Sequence, residues 1–141
     1  MGHFIKIVLC LSVLGLLVGC CNCKSFQKKN RRPLVGTEWQ LVQLLGQNEF
    51  PAPDKFTIQF SDDNRISGVG ACNRIMGAYS ADVKGAMKIG PLATTMMACP
   101  GMDKEQSFTN AISQATHYEM DGSMLLLLSN GELKAIFQAK K

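Results

Sequence analysis

The sequence predicts an α+β domain, a mostly antiparallel sheet curled into a partial barrel with one helix. Three observations carry this expectation. Phe56-Thr57-Ile58-Gln59-Phe60 alternates, with both aromatics and Ile58 on one face, as a half-buried strand requires. Asp121-Gly122 and Asn130-Gly131 are hairpin signals that divide the last part of the chain into a three-stranded meander. Phe108, Ala111, Ile112 and Ala115 fall at i, i+3, i+4 and i+7, the spacing of one buried helical stripe.

The other elements follow in order. Trp39 to Leu45 is an apolar run after Gly36-Thr37 and reads as the first strand. Ser61-Asp62-Asp63-Asn64 forms a turn, from which Arg65 to Val69 returns antiparallel to the Phe56–Phe60 strand. Tyr79 to Val83 and Met87 to Ile89 flank a short turn at Lys84-Gly85. Pro100-Gly101 blocks an earlier helix start, so Asp103 is expected to cap the helix, with Gln106 answering three residues on. Strands are then expected at Tyr118–Met120, Met124–Leu128 and Leu133–Gln138. The leucine run at 125–128 implies a strand covered on both faces, which favours a curled sheet over a flat one.

The first residues have a different character. One lysine, an uncharged stretch from Ile7 to Val18 and a small-residue exit have the build of an export signal. The stretch is shorter than the roughly 20 residues of a spanning helix. Leu17-Val18-Gly19-Cys20 is similar to a bacterial lipobox, in which the final cysteine is acylated and becomes the new N-terminus. Residues 1–19 therefore read as a lipoprotein signal peptide, and 20–32 as the lipidated Cys20 with a flexible basic tether. Residues 33–141 read as the folded domain. Two or more acyl chains give stable membrane anchoring where one would be marginal.

Charge divides along the same boundaries. The whole chain has 15 Lys+Arg against 11 Asp+Glu, a formal net charge of +4. Lys6 lies in the leader and five cations lie in the tether, which leaves nine cations against all eleven acids, a net of −2 for residues 33–141. The basic balance thus belongs to leader and tether, and the mildly acidic domain argues against nucleic-acid binding.

Of the six cysteines, Cys72 and Cys99 alone stay with the domain. In an oxidising compartment such a pair commonly forms a disulfide, closing a loop worth about 3.5 kcal/mol in the chain-entropy model. Two buried free thiols are the alternative, and a reactive cysteine is a third reading that needs a base. The histidine available in the domain is His117, expected at the helix end. Cys21 and Cys23 lack a partner pair at zinc-ligand spacing, so no metal is expected. No cofactor motif or catalytic constellation appears, and a non-enzymatic protein is expected.

The cysteines sit in two informative blocks. Ser67-Gly68-Val69-Gly70-Ala71-Cys72-Asn73-Arg74 with Gly77-Ala78-Tyr79, and Ile89-Gly90-Pro91-Leu92-Ala93-Thr94-Thr95-Met96-Met97-Ala98-Cys99-Pro100, resemble the two cysteine blocks of the META domain, the HslJ family. Leu34 to Trp39, Glu105 to Phe108 and Leu133 to Phe137 resemble the family's opening strand, helix start and last strand, so the likeness runs from residue 34 to 138 in order. Met76 departs from it, standing where an aromatic is common. The resemblance implies a small β-rich partial barrel with one helix, frequent export or lipidation, a link to heat shock and drug tolerance, and no established catalysis.

Candidate surface residues come from the same blocks. Asn73 and Arg74 follow the first cysteine, where an asparagine more often fixes a turn than meets a ligand. Met96 and Met97 suit either core filling or a pliable apolar groove. Gly68 and Gly70 read as close packing rather than as an approach for a ligand. The expected function is that of a monomeric envelope lipoprotein acting in stress or drug tolerance by binding a small apolar ligand, lipid or protein. The alternative is a pilot lipoprotein escorting an outer-membrane component. Cys21 after the lipidated residue is not the aspartate that resembles an inner-membrane retention signal, so a periplasm-facing outer-membrane anchor is expected.

Overall fold

The computed structural model describes residues 30–141, so the leader, Cys20 and the tether up to residue 29 lie outside the described residues. The elements are β1 (Glu38–Leu44), β2 (Gln47–Asn48), β3 (Thr57–Phe60), β4 (Arg65–Val69), β5 (Arg74–Ala81), β6 (Met87–Ile89), β7 (Ala93–Thr94), α1 (Met102–Ser113), β8 (His117–Asp121), β9 (Met124–Ser129) and β10 (Glu132–Ala139). The strands form one antiparallel path ordered β6-β5-β4-β3-β1-β10-β9-β8, with β2 beside β1 and β7 beside β5. The two ends of the path approach each other. Tyr118 N–H donates to the Gly85 carbonyl at 2.8 Å, Met87 N–H donates to Thr116 at 2.9 Å, and Ala86 bridges His117. The sheet is therefore a nearly closed barrel with one helix, as the sequence predicts. Closure leaves few free strand edges to template aggregation.

The helix plugs the barrel. Phe108 and Ile112 are fully buried and Ala111 and Ala115 nearly so, which places the predicted stripe inward. Phe108 packs edge-on against Phe56, with centroids 5.3 Å apart, and at a tilt against Phe137 at 6.1 Å. Trp39, Phe60, Ile75 and Leu127 complete the interior, and Trp39 Nε1 donates to the Leu34 carbonyl at 3.1 Å. Every buried apolar residue among those described lies between Trp39 and Ala139. The core thus closes without the leader or tether, and this part of the chain can fold as a unit.

Several local expectations need correction. Asp103 does not cap the helix: the N-cap is Gly101, at φ 93°, with no side-chain cap bond. The left-handed glycine starts the helix two residues earlier, and Asp103 sits in its first turn, where a carboxylate still favours the helix dipole. β5 starts at Arg74 rather than Tyr79, because Arg74 to Ala78 pairs in register with Val69 to Arg65. Leu45 ends no strand; with Gly46 it makes a tight turn at φ 48° and 80°, and β2 follows. Both residues of Asn130-Gly131 have positive φ, the expected type I′ pattern. At Asp121-Gly122 only Gly122 does, which suits a type II′ turn displaced by one residue to Gly122-Ser123. Leu125 and Leu127 are fully buried while Leu126 and Leu128 are only half-buried, so β9 is not covered equally on both faces. His117 opens β8 and is exposed.

The central place of Phe108 sets the first prediction. Phe108→Ala should cost about 3–5 kcal/mol through lost burial and the cavity left in the barrel. Met96→Ala, at a fully exposed side chain, should change stability by less than about 0.5 kcal/mol. Denaturant melts of both variants check the contrast.

Candidate functional site

The two cysteine blocks converge at one end of the barrel. Cys72 and Cys99 are joined in a disulfide, with Cα atoms 6.4 Å apart, so neither sulfur is a free nucleophile. Residues 70–73 turn tightly, and Gly70 N–H donates to the Asn73 carbonyl at 2.8 Å. The amides so exposed face the first turns of α1, where Glu105 is buried.

Glu105 is the centre of this end. Its Oε2 accepts from the Cys72 and Asn73 N–H groups, both at 3.2 Å, and its Oε1 accepts from Asn73 Nδ2 at 2.7 Å. Burial alone pushes the carboxyl up. The Asn73 side chain and the backbone amides of Asn73, Cys72 and Ala71 together outweigh it and hold the group below its ordinary value. A Cβ on Gly70 would lie 2.5 Å from the carboxylate, so only glycine admits Glu105 here. A Cβ on Gly68 would collide with the Thr57 carbonyl, and close packing explains both glycines.

Asn73 carries the contacts onward. Its Nδ2 also donates to the Met97 carbonyl at 3.1 Å, while Oδ1 accepts from Thr95 Oγ1 at 2.9 Å and from Met97 N–H at 2.8 Å. Asn73 is therefore buried and fully engaged, and the expectation of a surface role for its side chain is corrected. Its bonds reach the segment between β7 and α1 as well as its own turn. The sequence signal for Glu105 was present but unused: it lies three residues before Phe108, a charge placed on the apolar stripe.

The remaining candidates face outward. Arg74 is exposed, and its N–H donates to Thr95 Oγ1 at 3.0 Å. Met96 is 97% exposed and Met97 55%, which overturns the core-filling expectation. The Met97 backbone is tied to Asn73 through both its N–H and its carbonyl, with the side chain left outside. Met76 (57% exposed) and Met102 (42%) add two more thioethers to the face around β7. On the β5 side of β7, Arg65, Met76, Gly77, Pro91 and Ala93 line a groove of about 590 Å³. On the helix side, Thr94, Met102 and Gln106 line a smaller one of about 320 Å³. Neither groove is lined by Met96 or Met97. Among the described residues no set of three His, Cys, Asp or Glu side chains is arranged to hold a metal, and no helix is long and apolar enough to cross a membrane.

Glu105 yields two predictions. Glu105→Gln should cost about 1.5–3 kcal/mol, the worth of hydrogen bonds to a buried charge. Because its folded-state pKa is lowered, Glu105 stabilises the fold in full above the ordinary glutamate value of 4.5 and loses that contribution as pH falls below it. Urea melts from neutral to acidic pH should show this loss in the parent and a flatter profile in Glu105→Gln.

Comparison with known proteins places this architecture. A family model of the META domain matches residues 32–141. No curated protein matches the chain. Among solved structures, a DUF4847 family protein from Bacteroides vulgatus is similar at 20% identity with a TM-score of 0.60, over 77% of this chain and 94% of that one. A protein from Burkholderia xenovorans, solved by NMR, is similar at 25% identity with a TM-score of 0.58, over 83% of this chain and 88% of that one. With the family matched from before the first strand to the last residue, the chain is a small bacterial protein that belongs to the META-domain family.

Proposed function

We propose that the protein is a lipid-anchored, non-enzymatic binding protein of the bacterial envelope, which holds an apolar ligand on the methionine-rimmed face around β7. The observation that carries this reading is the groove of about 590 Å³ beside Met76, open on the outside of a barrel whose interior is filled by its own helix. Flexible thioethers adapt to varied apolar shapes, and Met76, Met96, Met97 and Met102 surround this face. Gly77, Ala78, Pro91 and Ala93 line the groove with small side chains. The disulfide supports the absence of thiol chemistry, and exposed His117 is hydrogen-bonded to the neighbouring Thr116 hydroxyl. The anchor rests on the Leu17–Cys20 motif, and a stress or drug-tolerance role on the family resemblance.

Two measurements test it. Mass spectrometry of protein extracted from membranes should find Cys20 at the N-terminus carrying acyl chains; an unmodified Cys20 overturns the anchor. Titration with the neutral apolar fluorophore N-phenylnaphthylamine should show saturable binding that Met76→Asp weakens about tenfold, or about 1.4 kcal/mol. Absent binding, or binding indifferent to Met76→Asp, overturns the groove.

A further inference from the structure

A third concavity lies where the tether enters the domain. Arg31, Arg32, Lys84, Val83, Tyr118 and Met120 line it, with a volume of about 270 Å³. The chain entry is pinned to this rim: Arg32 N–H donates to the Gly122 carbonyl at 3.2 Å, on the hairpin between β8 and β9. The turn before β6 is held to the same rim, since Tyr118 donates from its N–H to Gly85 and from its hydroxyl to the Asp82 carbonyl at 2.8 Å. Three cations therefore converge on one concavity of a domain that is net acidic. Of the neighbouring acids, Asp82 Oδ1 accepts from the Lys84 and Ala86 N–H groups, Asp121 also has a partner, and exposed Glu119 lines the adjoining concavity with Lys84.

Val83 gives the cleft a direction. It is 100% exposed at the tip of its turn, an apolar side chain set directly beside Lys84. A cation next to a protruding apolar residue is the composition of an interfacial contact, the apolar group entering the headgroup layer and the charge meeting phosphate. The position fits as well. Arg31 is eleven chain steps from Cys20, so an anchor at Cys20 holds this rim within about 40 Å of the bilayer. Lys28 and Lys29 add cations along the way.

From these placements we propose that the Arg31–Arg32–Lys84 cleft and Val83 form a membrane-docking surface that takes the phosphate of anionic lipid headgroups. The proposal rests on the anchored reading for its geometry, but the contact itself does not require acylation of Cys20. Docking by this rim orients the domain on the bilayer. A cation near an anionic surface multiplies affinity by about fivefold, and salt screens the effect.

The test uses residues 24–141, whose core is complete without the leader, and vesicles of equal parts phosphatidylglycerol and phosphatidylcholine. The protein should sediment with these vesicles at low salt and not with phosphatidylcholine alone. Val83→Ser/Lys84→Gln, on an exposed turn, should keep the parent melting temperature and lose about fivefold or more in binding. A peptide of residues 24–32 alone should bind more weakly than the domain. Equal binding by that peptide, an unaffected double variant, or a cleft that answers to dissolved glycerol phosphate but not to vesicles overturns the proposal. An unacylated Cys20 would overturn the anchor while leaving the vesicle result to stand or fall on its own.

Discussion

The architecture depends on one buried charge. A carboxylate withdrawn from water has to be met by enough donors to replace its hydration, or the helix that carries it cannot stay in the barrel. Glu105 finds them in the amides of residues 71–73 and the Asn73 side chain. That requirement dictates the surroundings. Gly70 must lack a side chain, the 70–73 turn must present its N–H groups inward, and Asn73 must use both ends of its amide. The Cys72–Cys99 bond then fixes the same turn covalently to the residues just before α1. Helix and β4–β5 connection meet at this one acceptor, and Asn73 ties the β7–α1 segment to it.

The plugged barrel has its interior filled by its own side chains. Many closed sheets of similar strand number keep a ligand in their interior. Here Phe108 and Ile112 occupy that space, with Phe108 edge-on to Phe56 and tilted against Phe137. Both proposed surfaces accordingly lie on the outside, at the β7 face and at the rim where the tether enters. These two surfaces differ in chemistry. One is lined mostly by small and apolar residues with Met76 and a single cation, Arg65; the other gathers Arg31, Arg32 and Lys84 beside Val83 and Tyr118. A protein held at the bilayer by one rim would keep its other binding face available.

Much of this was legible in the sequence because it is periodic or local. Alternation around Ile58, the 108–115 stripe and the glycine turns of the last three strands place most elements, and both cysteine blocks mark the end where they meet. The errors were tertiary. Nothing local distinguishes Asp103 as a cap from Asp103 in a first turn once a left-handed Gly101 starts the helix. Leu45 at positive φ has no Asn or Asp signature, and it is held by its N–H bond to the Lys134 carbonyl. β7 is too short for a pattern. Met96 and Met97 have the composition of core residues, but both are exposed, and at Met97 it is the backbone that Asn73 binds. Glu105 was visible as a misplaced charge, but its partners are more than thirty residues away in sequence.

The way Asn73 grips residue 97 separates two kinds of inheritance. Both of its bonds there go to main-chain atoms, the Met97 N–H and carbonyl, so the fold asks nothing of that side chain. Met96 and Ala98 beside it are likewise exposed. The segment is thus held in shape by groups that every non-proline residue possesses. Its outward chemistry is free to drift, and a lineage can change the character of this face while leaving the scaffold beneath it untouched.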